Sequence, residues 1–190
     1  MSSTAKKLTW KVFWDLQCPY SHKNWSHIKD IKQAFGDKFD FEIVLTSLPF
    51  HPQAFPAQCA ASLIEHQLGD DAKAAFIEQC FQQQESYMNA AVGDATPSQV
   101  RKVFCKITKD AGLLAPTSNP DFTEDYFLQH VQDWEGAIKP AYTEHKIALQ
   151  YQVFGTPKHA IDGRLLEATE SDWGVEEWKM KLTEEGFLTE

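Results

Sequence analysis

The chain has 190 residues and a formal net charge of −9. This length suits one well-packed domain, or a small domain that carries an insertion. The acidic surplus argues against nucleic acid as a partner, because the phosphate backbone selects basic surfaces. The stretch MSSTAKKLTW contains no apolar signal segment, and no later stretch is long and apolar enough to span a membrane. We therefore expect a cytoplasmic protein without a membrane partner.

The cysteines and histidines show no metal-binding pattern. No two cysteines are three residues apart, and no Cys–His spacing resembles a zinc site. Without a secretory signal, reduced thiols are expected rather than disulfides. We predict neither a metal site nor a tightly bound cofactor. The side chains that could ligate a metal but lack the required spacing are Cys18, Cys59, Cys80, Cys105, His66, His130, His145 and His159.

The first part of the chain predicts a βαβ unit. A strand is expected from Thr9 to Trp14 and a second one from Phe39 to Leu45, both rich in apolar residues. Between them, apolar residues at helical spacing predict a helix that ends at Gly36. Two strands joined through a helix in about 35 residues pair in parallel, with a right-handed crossover.

Residues 48–133 contain no convincing strand, and we interpret them as an inserted helical subdomain. The third of its helices is the clearest, because Thr96 can cap it, Pro97 can open it and Gly112 can end it. The four predicted helices are Ala57–Leu68, Ala72–Met88, Pro97–Ala111 and Asp121–Asp133.

The α/β pattern resumes after the insert. A helix is expected from Trp134 to Gln150, although Pro140 within it leaves the position of its first turn undecided. The pair Asp162–Gly163 predicts a hairpin, and Ser171 is expected to cap a last helix with Trp173, Val175, Trp178 and Leu182 on one face. The predicted domains are therefore 1–47 with 134–190, and 48–133.

The stretch KVFWDLQCPYSHKNW places Cys18 between a strand and a helix. Pro19 suits the first position of a helix, so Cys18 is expected at the N-cap. There its sulfur can face the free N–H groups of Tyr20 and Ser21 and the positive end of the helix dipole, which favours a reactive thiolate. The alternative is a buried cysteine that happens to precede a helix.

Two motifs in this order resemble the DsbA-like branch of the thioredoxin superfamily. Asp15-Leu-Gln-Cys-Pro-Tyr-Ser21 is similar to the family's element at the first strand–helix junction, and Gly155-Thr-Pro157 precedes the hairpin. The branch includes DsbA, FrnE-type proteins, kappa-class glutathione transferases and 2-hydroxychromene-2-carboxylate isomerases. The resemblance implies an α/β thioredoxin-like fold with an all-helical insertion between the βαβ unit and a C-terminal α-β-hairpin-α unit.

The resemblance also implies a cis bond between Thr156 and Pro157, facing the active-site sulfur. Such a bond would leave the N–H and C=O of Thr156 free to pair with an extended peptide or with glutathione. Pro19 and Tyr20 would complete the substrate surface. The alternative is an ordinary trans bond that leads into a strand.

The sequence departs from the dithiol pattern of the family at Ser21. A dithiol enzyme resolves its mixed disulfide with a second cysteine, so here an external thiol is needed, and glutathione is the expected co-substrate. The Ser21 hydroxyl could donate a hydrogen bond to the Cys18 thiolate. Cys59 is the best internal candidate for a resolving thiol, whereas Cys80 and Cys105 are expected in the core.

Other residues near the motifs are auxiliary candidates. Asp15 matches the acidic residue that the family keeps before the cysteine, or it is only a carboxylate at the end of a strand. His22 and His51 could serve as proton donors or thiolate partners, or they could be surface or capping histidines.

The expected function is monothiol thiol–disulfide exchange through Cys18 and Ser21. Its substrates would be disulfide-containing or glutathionylated proteins and peptides, or small thiols. A kappa-like transferase or isomerase that uses Ser21 is an alternative, although that family places its serine where Cys18 stands. A redox-inactive, chaperone-like module that binds peptides through the exposed aromatics of LPFHPQAFP is another. The oligomeric state cannot be inferred from the sequence.

Overall fold

A computed structural model describes residues 6–189 of the chain. These residues contain a four-stranded sheet in the order β2-β1-β3-β4. The strands are β1 (Leu8–Trp14), β2 (Phe39–Leu45), β3 (Lys158–Ile161) and β4 (Arg164–Leu165). β1 pairs in parallel with β2 and antiparallel with β3, and β3 pairs antiparallel with β4. The predicted α/β class and the parallel βαβ unit are confirmed.

Eight α-helices accompany the sheet within the described residues, together with a short 3₁₀ segment and a π-helical turn. Among them, no helix is both long and apolar enough to cross a lipid bilayer. The helices are α1 (Pro19–Phe35), α2 (Ala54–Leu68), α3 (Asp70–Gln82), α4 (Asn89–Val92), α5 (Pro97–Asp110), α6 (Glu124–His130), α7 (Lys139–Gln150) and α8 (Val175–Glu184). The 3₁₀ segment is Gln84–Tyr87 and the π-helical turn is Trp134–Ile138.

Helices α2 to α6 all lie in the segment predicted as an insert. α5 confirms the predicted signals: the Thr96 hydroxyl accepts a hydrogen bond from the Gln99 N–H, and Pro97 occupies the first turn. Gly112, with φ of 70°, follows the helix in the left-handed conformation that glycine adopts without strain. The division of the chain into two domains stays a prediction.

Most helix boundaries differ by a few residues from those predicted, and two differences are larger. The helix expected from Ala72 to Met88 ends at Gln82, where the tighter 3₁₀ segment takes over. The helix expected from Trp134 begins with the π-helical turn, and α7 starts at Lys139 because Pro140, which has no N–H, suits the first turn of a new helix.

The expected cap at Ser171 is wrong. α8 starts four residues later, at Val175, with Gly174 at its N-cap. The Glu177 carboxylate accepts a hydrogen bond from the Gly174 N–H at 3.0 Å, which satisfies the helix terminus in place of the serine. Trp173 therefore precedes the helix, while Trp178 and Leu182 form its buried face.

The predicted hairpin is present. Asp162 and Gly163 have φ values of 45° and 87°, the left-handed pair that a two-residue turn between right-twisted strands requires. The Asp162 carboxylate accepts a hydrogen bond from the Thr9 N–H at 2.9 Å, and this bond ties the hairpin to the start of β1.

The sheet is covered on both faces. Trp10 of β1 packs between Phe41 of β2 and Trp178 of α8, with ring centroids 4.9 and 4.8 Å away. On the opposite face Phe13 and Val44 pack with Ala148 of α7. β1 thus lies between β2 and β3 and its last three residues are buried, so the residues that follow its carboxyl end are held in a fixed position.

Candidate active site

Cys18 lies at the N-cap of α1, as predicted. The turn that follows β1 closes with a hydrogen bond from the Cys18 N–H to the Asp15 carbonyl at 3.0 Å, and Pro19 then opens the helix. We call residues 15–18 the cysteine loop. The sulfur therefore sits at the positive end of a 17-residue helix.

Cys18 is buried in this structure. Its residue is only 3% exposed, and its side chain makes no capping hydrogen bond to the first turn of α1. Instead the thiol donates to the Thr156 carbonyl at 3.3 Å. The expected hydrogen bonds from the N–H groups of Tyr20 and Ser21 to the sulfur are therefore not formed in this structure.

The Gly155-Thr-Pro157 segment does lie beside the sulfur. The Thr156–Pro157 bond is cis. The Thr156 carbonyl is occupied by the Cys18 thiol rather than free, while the Thr156 N–H has no partner among residues 6–189. The Thr156 hydroxyl is buried and also lacks a partner there.

Ser21 does not contact the cysteine sulfur through a hydrogen bond. Its side chain is fully buried, and its hydroxyl accepts a hydrogen bond from the Asp15 N–H at 3.3 Å. The sequence led us to expect a hydrogen bond from Ser21 to Cys18. In this structure the hydroxyl shapes the cysteine loop instead.

Asp15 organises two loops at once. Its carboxylate is fully buried and accepts hydrogen bonds from the N–H of Gln17 at 2.7 Å and the N–H of Leu48 at 2.8 Å. Nδ1 of His51 lies 2.9 Å from the same carboxylate. The carboxylate therefore joins the cysteine loop to the loop after β2, and His51 is its partner.

His22 is not placed near this network. Its ring is partly buried and packs against the rings of Trp25 and Phe81, at centroid distances of 5.7 and 5.8 Å. The proposed role of His22 as a proton donor or thiolate partner has no hydrogen bond to support it within residues 6–189.

The insert clamps the cysteine loop through residues that the sequence analysis missed. The Gln84 amide donates to the carbonyls of Leu16 at 2.9 Å and of Cys18 at 3.1 Å. The Tyr87 hydroxyl lies 2.8 Å from the Leu16 carbonyl. Gln17 in turn accepts a hydrogen bond from the Gln53 N–H at 2.8 Å. No local pattern could reveal these contacts, because the partners lie far apart along the chain.

Exposed aromatic side chains occur in each of the three segments that meet here. Tyr20 is 62% exposed, Phe50 63% and Phe154 78%. Pro19, next to the cysteine, is also exposed. Large apolar surfaces in water are typical of places where another molecule binds.

The three remaining cysteines are buried thiols. Burial raises the pKa of Cys59 to about 12 and, together with Glu124, raises that of Cys105 to about 11. Burial also raises the pKa of Cys80 well above its ordinary value. Cys59 lines a separate apolar cavity of about 320 Å³. A protonated, enclosed thiol is a poor nucleophile, so the structure argues against Cys59 as the resolving thiol.

Similarity to solved structures is extensive in fold and low in sequence. No family model and no curated relative matches the sequence. A candidate protein-disulfide isomerase from Pseudomonas syringae superposes with a TM-score of 0.71 at 18% identity, over 92% of this chain and 93% of that one. The oxidoreductase DsbA from Xylella fastidiosa gives a TM-score of 0.60 at 15% identity, over 98% and 90% of the two chains. BdbD from Bacillus subtilis gives 0.64 at 17% identity, over 94% and 86%.

The chain has the DsbA-like thioredoxin fold. The predicted resemblance and fold class are thereby confirmed. In this DsbA-like fold the Cys18 sulfur lies beside Thr156, whose backbone N–H has no partner within residues 6–189. A sulfur attacks a disulfide, and a backbone N–H can hold an extended chain next to it.

Proposed function

We propose that the protein is a monothiol thiol–disulfide oxidoreductase that uses Cys18 as its nucleophile and glutathione as its co-substrate. The observation that carries this proposal is the position of the Cys18 sulfur, at the N-terminus of α1 and 3.3 Å from the Thr156 carbonyl. The helix terminus stabilises negative charge on sulfur once the thiol proton has left.

The exchange takes place in two balanced steps. The Cys18 thiolate attacks the glutathione sulfur of a mixed disulfide, the old S–S bond breaks, and the substrate leaves as a thiolate that takes up a proton. A glutathione thiolate then attacks the Cys18–glutathione disulfide, which releases oxidised glutathione and restores the Cys18 thiolate. The substrate sulfur is reduced, and its glutathione leaves joined to the incoming one as oxidised glutathione. Ser21 cannot perform the second step, because it carries no sulfur.

Substrate binding is assigned to the surface around the sulfur. The Thr156 N–H can pair with the backbone of an extended peptide or of glutathione. Tyr20 and Phe154 present apolar rings beside it, with Pro19 and Pro157 shaping the same surface. We propose disulfide-containing or glutathionylated polypeptides as substrates, in the cytoplasm.

A redox-inactive peptide-binding module is the second candidate. The observation that favours it is that Cys18 is buried whereas the aromatic side chains of Tyr20, Phe50 and Phe154 are exposed. A kappa-like transferase or isomerase that uses Ser21 fits less well, because the Ser21 hydroxyl is fully buried and bonded to the Asp15 N–H.

The deciding experiment measures turnover of a glutathionylated peptide with reduced glutathione. The wild-type protein should release glutathione catalytically, and Cys18→Ser should lower the rate at least about a hundredfold, because a hydroxyl is a far weaker nucleophile. Brief treatment with iodoacetamide followed by mass spectrometry should label Cys18 before the other cysteines.

Cys59→Ala is the matched control, since it removes a buried thiol of raised pKa, and its turnover should equal that of the wild type. Full activity in Cys18→Ser would refute the assignment of the nucleophile. A wild-type protein that binds the peptide without turning it over would favour the redox-inactive module.

A further inference from the structure

The sheet has an open edge at β2. Within residues 6–189, β2 pairs only with β1. Hydrogen bonds from the Leu8 N–H to the Lys38 carbonyl and from the Thr46 N–H to the Trp14 carbonyl set the parity of this parallel ladder. These bonds imply that the N–H and C=O groups of Asp40, Glu42 and Val44 bond to β1. The N–H and C=O groups of the residues between them, such as Phe41 and Ile43, therefore point away from the sheet.

The outward-pointing groups are covered at one end of the strand only. The Leu45 N–H donates to the Glu144 carboxylate at 2.9 Å, and the Leu45 carbonyl accepts from the Gln58 amide at 2.8 Å. Phe41 and Ile43 have the same parity, and their N–H and C=O groups have no partner outside β1 among the described residues. Two donors and two acceptors are thus left open at the spacing of a β-strand.

These groups lie along a large groove rather than on a flat surface. The groove has a volume of about 1440 Å³, and α1, α3 and α7 form its walls. The apolar part of its lining includes Trp25, Ile28, Ile77 and Ile147. An extended chain in this groove would have side-chain contacts on both sides of its backbone as well as hydrogen bonds to β2.

The charges in the groove favour a basic occupant. Its lining includes seven carboxylates and five lysine ammonium groups. Four of the carboxylates are already in ion pairs with three of these lysines, Glu42 with Lys11 among them, and the lining as a whole carries two more carboxylates than lysines. A partner that carries lysine or arginine would therefore reduce the surplus of negative charge along the groove, and the half-exposed Glu42 carboxylate can accept from such a side chain as well as from Lys11.

A second copy of the chain is a poor occupant. In a two-fold antiparallel pair centred on Phe41, Asp40 of each copy would oppose Glu42 of the other, and centring the pair on Glu42 would place the two Glu42 residues opposite each other. Like charges that oppose each other directly destabilise a strand pair. Centring on Ile43 would require the backbone of Leu45, which Glu144 and Gln58 already occupy.

We propose that the β2 edge binds an extended segment of a basic partner polypeptide as an added strand. Its apolar side chains would lie on the side of Phe41 and Ile43, and its lysines or arginines on the side of Glu42. This surface is separate from Cys18, so the inference does not depend on the proposed function.

The test uses a fluorescein-labelled nine-residue peptide that alternates valine with lysine, blocked at both ends. Fluorescence anisotropy should show saturable binding to the full chain. Two further peptides carry N-methyl groups on all valines or on all lysines, which removes one set of donors while keeping the charge. Antiparallel pairing directs the valine N–H groups toward β2, and parallel pairing directs the lysine N–H groups. One methylated peptide should therefore lose binding, and the other should keep it.

The protein side of the test removes one donor from the edge. Ile43→Pro deletes an N–H that makes no hydrogen bond within the described fold, and proline is tolerated on edge strands. It should weaken peptide binding about tenfold. Ile43→Val keeps the N–H and should change binding less than twofold. Cys18→Ser leaves the edge intact and should bind like the wild type, whatever its turnover.

Amide exchange in the wild type provides a measurement that is independent of the variants. The amides of Phe41 and Ile43 should exchange faster than those of Glu42 and Val44 in the free protein, and they should become protected when the peptide binds. Absence of saturable binding, equal effects of the two methylations, or unchanged exchange at Phe41 and Ile43 would overturn the proposal.

Discussion

Two buried polar clusters contact β1, and their hydrogen bonding differs. In the cysteine loop at the carboxyl end of β1, the Asp15 carboxylate accepts bonds from three groups. The second cluster, which we call the histidine cluster, consists of Trp10, His159 and Trp178. Trp10 Nε1 donates to Nδ1 of His159 at 3.1 Å, but Nε2 of His159 and Nε1 of Trp178 have no partner within residues 6–189.

The difference shows what positions each cluster. An unsatisfied buried donor costs about 1–3 kcal/mol, so the histidine cluster must be held by another force. Its rings pack tightly, with the His159 and Trp178 centroids 4.4 Å apart, and burial of aromatic surface supplies that force. The cysteine loop contains no aromatic ring, and Leu16 is its one member of the hydrophobic core. Directional hydrogen bonds from distant residues fix its path, as the proposed role of Cys18 as a nucleophile requires.

The largest expected effect concerns the histidine cluster at low pH. Burial, with a smaller contribution from Lys158, lowers the pKa of His159 from 6.5 to about 3. Below about pH 6.5 His159 is therefore protonated in the unfolded chain, whereas in the folded chain it stays neutral down to about pH 3. Protonation of the unfolded chain favours unfolding, so the free energy of unfolding is highest above pH 6.5 and decreases as the pH falls. Between pH 7 and 4.5 the loss should amount to about 2–3 kcal/mol, measured by urea unfolding.

His159→Gln is the variant that separates this effect from other titrations, since its amide can still accept from Trp10. The variant should lose about 2–3 kcal/mol less than the wild type between pH 7 and 4.5. His27→Gln, which leaves His159 in place, should keep the wild-type dependence. If His159→Gln loses as much stability as the wild type in this range, the buried neutral histidine is not the cause.

The next effect, in order of size, concerns the clamp on the cysteine loop. Gln84→Ala removes two hydrogen bonds to buried carbonyls, those of Leu16 and Cys18, and should lower the free energy of unfolding by about 2 kcal/mol. Because the loop then opens more often, iodoacetamide should alkylate Cys18 several times faster in the folded protein.

Gln83→Ala is the matched control for the clamp. Its amide bonds to Asp110 at the surface, so this variant should change stability by less than about 0.5 kcal/mol and leave alkylation unchanged. Equal behaviour of the two variants would mean that the insert does not restrain the cysteine loop.

Much of the fold could be predicted from local sequence. The strands β1 and β2, the capped helix α5 and the Asp162–Gly163 turn follow from periodicity and from residues with special backbone preferences. The start of α8 could not be predicted in this way. Ser171 is a good capping residue, but Glu177 completes a competing cap at Gly174, and the packing of Trp178 against Trp10 fixes where the helix lies.

The sequence identified most residues of the candidate site, but it did not identify most of the contacts that they make. The motif at Cys18 and the segment at Thr156 meet in space, as the resemblance implied. The burial of Cys18 and the clamp by Gln84 depend on tertiary contacts that a linear pattern does not encode. For the same reason the partner of Asp15 was not identified as His51.

The smallest expected effect tests the role of Ser21. If its hydroxyl only accepts from the Asp15 N–H, Ser21→Ala leaves that buried donor without a partner and should cost about 1 kcal/mol of stability. Alkylation of Cys18 between pH 6 and 9 should then follow the wild-type profile. If the hydroxyl instead donates to the thiolate, as the sequence suggested, the alkylation profile should move to higher pH, since the charged form loses a hydrogen bond.

Ser21→Thr keeps the hydroxyl and serves as the control for its removal. A shifted profile in the alanine variant alone would assign Ser21 to the thiolate. A loss of stability without a shift would assign it to the cysteine loop, in line with the completed hydrogen bonds that distinguish this loop from the histidine cluster.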